Sequence, residues 1–240
     1  MEKKYELTNE TLEYQGHVLH RIKALRNFLK VKVGDLGGWV EKEDNLSHEG
    51  TCWVYDDAMV FGDAGVFGDA MVFGKARVCD TARVFDYAKV FGGALVFCNA
   101  NVYDDAMVFG EARVYGEAKV FGYAEIGGNA SVGGNAQVYA HANVYDNAQI
   151  YDFANVCNFA NVYGNAEICG NARVKSNKDY AVFKNFWSSG RYFTWTRSNN
   201  MWKVGCFYGT GEELIKKAYA DSEISGKGYE AIVKAVESVK

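Results

Sequence analysis

Four histidines, six cysteines and a basic, aromatic tail are the residues of this chain whose types could do chemistry. An imidazole suits general acid–base work near neutral pH. His17, His20 and His48 lie in the first 53 residues, and His141 stands alone in mid-chain with no Asp or Glu as an evident partner. The cysteines, at 52, 79, 98, 157, 169 and 206, include no CxxC pair and no spacing that suits zinc or a disulfide framework. They read as free thiols of a reducing cytoplasm, and neither a metal nor a cofactor is expected. In the tail, Lys184, Arg191, Arg197 and Lys203 are mixed with Phe186, Trp187, Tyr192, Phe193, Trp195 and Trp202. Such a mixture can hold a single nucleic-acid strand. The tail's net charge of +4 is weak for that role, and most of its rings are needed for a core of their own.

What must position these residues is a repeat. Twenty hexapeptides run without a gap from Val54 to Arg173, each reading Val/Ile, mostly aromatic, Gly/Asp, Asn/Asp/Glu, Ala, variable. Position one is Val or Ile every time and position five is Ala every time. A strict short period is the signature of a chain that coils. The β-branched residue belongs on a short extended stretch. The Gly, Asp and Asn of positions three and four tolerate positive φ and make tight corners. One branched and one small side chain therefore turn inward per hexad. The hexads are acidic, with a net charge of −7, and the segment before them is nearly balanced. Half of all residues are apolar and 15% are aromatic, which excludes a disordered chain. The start, MEKKYELTNE, lacks the apolar core of a signal peptide, and no apolar run approaches a membrane span.

Hexads such as Val162-Tyr-Gly-Asn-Ala-Glu and Ile126-Gly-Gly-Asn-Ala-Ser resemble those of hexapeptide-repeat proteins. The resemblance implies an all-β solenoid, a single-stranded left-handed parallel β-helix with three hexads per triangular coil. Twenty hexads then make about 6.7 coils, a rod of roughly 32 Å at ~4.8 Å per coil. Many left-handed β-helices are acyltransferases that use a His near a subunit cleft as base. That alternative would make His141 catalytic. No hexad is interrupted by the long loop such enzymes use to build a cleft, and His141 occupies a corner usually filled by Asn or Asp.

A solenoid needs its open ends covered, and all five Trp lie outside the hexads. Upstream, LEYQGHVLHRIKAL predicts a hairpin turning at Gln15-Gly16. Downstream, YAVFKNFW, RYFTWTR and MWKVGCF predict three short strands. Thr210-Gly-Glu-Glu213 is a capping box that opens a helix bearing Leu214, Ile215 and Ala218 on one face. Tyr229, Ile232, Val233 and Val236 mark a second helix. The chain divides into an N-terminal hairpin cap (1–39), the β-helix (40–174) and a small βββαα cap (175–240). With YELTNETLEYQGHVLHRIKAL, GDLGGWVEKEDNLSHEGTCWVYDDA and VGCFYGTGEEL, nearly the whole chain resembles a group of phage and prophage hexapeptide-repeat proteins. The likeness implies a phage-encoded protein that works in the host cytoplasm on host physiology or defence, and implies no particular chemistry.

Position two is Phe or Tyr in 15 of the 20 hexads and points outward, so an 18-residue coil stacks these rings into three ladders. Ring stacking that stiffens the rod accounts for part of this pattern. It leaves unexplained why so much apolar surface faces water, which monomers avoid. The longest ladder, Phe67, Phe85, Tyr103, Phe121 and Tyr139, runs beside a corner bearing Tyr87, Tyr123, His141 and Phe159. These nine residues are the candidate binding interface. The expected occupant is another copy of the chain, as a dimer or trimer, or a host protein. Stacking of sugars or nucleobases is a further use, and nucleic acid in the tail is the weakest. The chain reads as a binding protein in preference to an enzyme.

Overall fold

The computed structural model of the chain describes residues 2–239. Each hexad contributes a two-residue strand that runs from position six into position one of the next, such as Met59–Val60 and Arg77–Val78. Residues 18 apart pair in parallel register: Val54 on Val72, Val60 on Val78, Val66 on Val84. Among the described residues the hexad strands form three faces, each seven strands deep. Every position-one Val or Ile and every position-five Ala is buried along the whole parallel β-solenoid. Larger side chains at position five would have no space, which is why Ala recurs there without exception.

The corner is made at position three. All twenty position-three residues have φ between 53° and 71°. That conformation suits Gly and is tolerated by Asp and Asn. Cys98 and Ala140 hold it without either advantage. Asp has a second use here. The carboxylates of Asp56, Asp80, Asp104, Asp146 and Asp152 each accept the position-three N–H of the following coil at 2.9–3.0 Å. At these five of the six position-three Asp residues the bend therefore also caps its neighbour. Amides at positions six, two and four donate to the carbonyls of the next coil, as Met59 does to Ala76 at 3.0 Å, Phe61 to Val78 at 3.1 Å and Asp57 to Gly74 at 3.1 Å.

A stack built this way leaves carbonyls unserved at its first coil and amides unserved at its last, and the two ends are closed accordingly. At the N-terminal end, strands β1 (Tyr5–Tyr14) and β2 (His17–Ala24) form the expected hairpin, with Gln15 and Gly16 both at positive φ. β2 pairs with β3 (Leu36–Val40), and β3 lies parallel to the first strand of one face. This cap supplies donors. Asn45 Nδ2 donates to Gly62 O at 3.0 Å and Ala64 O at 2.8 Å. The buried Lys4 ammonium donates to Cys52 O at 2.8 Å, and Tyr5 OH lies 2.9 Å from both Glu43 O and Leu46 O. Burial lowers the Lys4 pKa and raises that of Cys52.

The C-terminal cap supplies acceptors instead. The last position-six amide on each face is taken by a side-chain oxygen: Asn161 N by Asn177 Oδ1 at 2.8 Å, Glu167 N by Thr194 Oγ1 at 3.0 Å and Arg173 N by Ser198 Oγ at 2.6 Å. The cap is an antiparallel sheet of Tyr180–Lys184, Tyr192–Thr196, Met201–Val204 and Phe207–Gly209. The stretch MWKVGCF, expected as one strand, is thus two, because Gly205 at φ 56° turns the chain. Helices α1 (Gly211–Asp221) and α2 (Glu223–Glu237) follow, and Thr210 and Glu213 form the expected capping box. Phe193, Trp195, Trp202, Leu214, Tyr229 and Val233 make a core separate from the rod's. Among the described residues no helix is long and apolar enough to cross a membrane.

Candidate functional site

The third edge of the rod lies after the face that begins at Gly65–Val66. Position two of each hexad there follows the strand directly, and position four sits on the corner beyond the bend. Phe85, Tyr103, Phe121 and Tyr139 stack with centroids 4.9, 5.0 and 4.9 Å apart and planes within 5°. Each ring covers the faces of its neighbours, so the series is half-buried although it points outward. The stack ends on the buried thiol of Cys157. The thiol beside its hydroxyl, and then burial, raise the pKa of Tyr139; burial does the same for Tyr103. Both remain neutral phenols at physiological pH. Phe67, expected in this ladder, turns instead over the open backbone of Gly65, where a Cβ would lie 2.3 Å from its ring.

The corner position carries the exposure. Tyr123, His141 and Phe159 form a second stack, with centroids 4.9 and 5.0 Å apart and planes within 4°. Tyr87, Tyr123 and Phe159 are 59%, 58% and 73% exposed, and His141 is exposed beside them. The nine candidate residues therefore lie on one edge as two parallel stacks, with Phe67 at one end and Tyr87 set apart by Asp105. Leu29, Met71 and Lys89 line a shallow hollow next to Tyr87. Asp69, at the start of the corner, accepts from Thr51 N at 2.9 Å and Thr51 Oγ1 at 2.6 Å.

The other two edges differ. Gly127 and Gly133 interrupt their ladders because rings of the adjoining coils lie over them; a Cβ on Gly133 would be 2.3 Å from Tyr115 and one on Gly127 2.7 Å from Phe109. The second edge has a polar corner, in which Thr81 bonds Asn99 and Asn99 donates to Glu117 at 2.8 Å. Phe153 on that corner is exposed and was not among the candidates, although its place in the hexad register marks it as a corner residue.

The arrangement can stack and bury apolar surface; for proton transfer it offers little. Among the described residues the His141 ring has neither a hydrogen bond nor an ion pair to another side chain, and no cluster of three His, Cys, Asp or Glu could hold a metal. In the tail, Phe193, Trp195 and Trp202 are buried in the cap's own core. Three of the four cations already face the protein's own rings: Lys184 over Tyr192, Arg197 over Trp195 and Lys203 over Tyr151, at 5.6–5.9 Å. Phe186 and Tyr192 remain exposed there, too few for a stacking platform.

No protein-family model matches the chain. It is 35% identical over 66 residues to the uncharacterized acetyltransferase YdcK of Escherichia coli (strain K12). The match covers 24% of this chain and 20% of that protein, so the chain spans a fifth of the length of the relative it matches.

Proposed function

We propose that the chain is a non-enzymatic docking protein whose third edge binds a protein partner. The observation that carries this reading is the rigid, outward stack of Tyr123, His141 and Phe159, with Tyr87 in line. Rings held in a stack have already lost their rotamer freedom, so a partner that covers them pays little further entropy. Aromatic residues are also the ones enriched where proteins meet. The resemblance of both flanks to phage and prophage proteins supports a phage-encoded protein acting in the host cytoplasm, with host physiology or defence as its target.

A photo-reactive amino acid placed at Tyr123, and in a second variant at Glu117 on the polar corner, tests the reading in cells. Covalent protein adducts at 123 and none at 117 are expected. Equal capture at both positions, or none at either, would contradict it.

The short match to YdcK favours a second reading, acyl transfer with His141 as base. A stacked imidazole without a carboxylate to orient it is poorly prepared for that step. Acyl-CoA consumption by the wild type that is lost in His141→Ala would establish it and displace the docking reading.

A further inference from the structure

The corner of the third edge reads, one coil at a time, Tyr87, Asp105, Tyr123, His141, Phe159. The order is symmetrical about Tyr123. Rings occupy the centre and both ends, with a carboxylate on one side of the centre and an imidazole on the other. We infer that a second copy of the chain docks on this edge, antiparallel, about a two-fold axis at the level of Tyr123. This rests on the docking reading above and names its occupant.

Reversal about Tyr123 sets Tyr87 against Phe159 of the partner subunit and Asp105 against His141 of the partner subunit, each pair occurring twice. The strip can superpose on its own reverse because its step is regular: the resolved ring spacings are 4.9 and 5.0 Å, with planes within 4°. Asp105 and His141 are both exposed, and among the described residues neither side chain has a hydrogen bond or ion pair of its own. Asp69, one coil before Tyr87, is instead held by Thr51, which ends the strip at Tyr87.

Two competing registers fail on charge. Parallel pairing sets Asp105 on Asp105 and His141 on His141. An antiparallel centre at Asp105 again opposes two carboxylates and offers His141 only the engaged Asp69. Like charges brought together at an interface are costly, and complementary ones fix register. A foreign partner would need no palindrome in this order. The two-fold closes the assembly at two chains. Five coils at ~4.8 Å make a narrow strip about 20 Å long, small beside the contacts of permanent dimers. The pair should therefore be reversible and depend on concentration.

Sedimentation equilibrium over a concentration series tests this with wild type, Asp105→His, His141→Asp and the exchanged double variant. Each single replacement opposes His to His or Asp to Asp and is expected to weaken dimerisation about tenfold or more. The exchange recreates the pair with its members swapped and should return the dimer to within about threefold of wild type. Both positions are on the surface, and melting curves report whether each variant folds. A wild type that stays monomeric overturns the inference, and so do single variants that dimerise normally or an exchange that rescues nothing. The docking reading falls separately, when the photo-reactive group at Tyr123 captures no protein of any kind.

Discussion

Two edges of one rod share a hexad and present opposite surfaces. Beneath both lie the same buried Val and Ala, paired at the same 18-residue step. On the second edge the corner is polar, and Thr81, Asn99 and Glu117 bond to each other from coil to coil. On the third edge the same position holds Tyr123, His141 and Phe159, stacked and open to water. The Thr81–Asn99–Glu117 stretch shows that the fold accepts a polar corner at the coil levels where the third edge carries Tyr87 and Tyr123. The aromatic corner is therefore not a requirement of the coil itself.

The comparison can be broken first at its common base. Val120→Asp on the third face and Val114→Asp on the second should each cost more than about 4 kcal/mol, because an unpaired carboxylate replaces a wholly buried side chain. Urea denaturation should show the same loss of cooperative unfolding in both. A smaller effect is expected at Gly133→Ala, where the new Cβ would press on the Tyr115 ring at 2.3 Å. The ring has to move, at about 1–3 kcal/mol, read as a lower denaturation midpoint. The two corners should then separate. Tyr123→Thr removes one stacking partner of His141 and should cost about 0.5–1.5 kcal/mol in stability while abolishing docking. Asn99→Ala breaks the polar ladder at a similar or smaller cost, about 0.5–1 kcal/mol, and should leave docking unchanged. The smallest effect is a gain. Ala140 holds φ 60° where most corners use Gly or Asp, so Ala140→Gly should raise stability by about 0.5 kcal/mol, after the added freedom of the unfolded chain is subtracted.

The rod was legible because its signal is repeated twenty times and each copy says the same thing about burial. Gln15-Gly16 and Thr210-Gly-Glu-Glu213 were legible because their residue types are demanded by local backbone geometry. Lys4 was not. A lysine near a chain start reads as solvated, and only the unserved carbonyls of the first coil explain why it is buried against Cys52. The half-burial of Phe85 through Tyr139 was equally hidden. It arises from neighbours 18 residues away, so the position of a ring in its hexad reports its direction and not its exposure. Phe67 left its ladder because Gly65 opened a slot two residues back. The corner rings could be named from the register alone, yet the polar state of the second corner and the aromatic state of the third acquire meaning only when set side by side in space.

Hydroxyl-radical footprinting across rising protein concentration tests the third edge most directly, because the chain carries its own controls. Phe153 on the second corner and Tyr163 on the remaining edge are 65% and 55% exposed, comparable with Tyr87, Tyr123 and Phe159. Oxidation of Tyr87, Tyr123 and Phe159 should fall together as concentration rises, while Phe153 and Tyr163 keep their rates. Five rings that oxidise at unchanged rates throughout, or that become protected alike, would contradict the account.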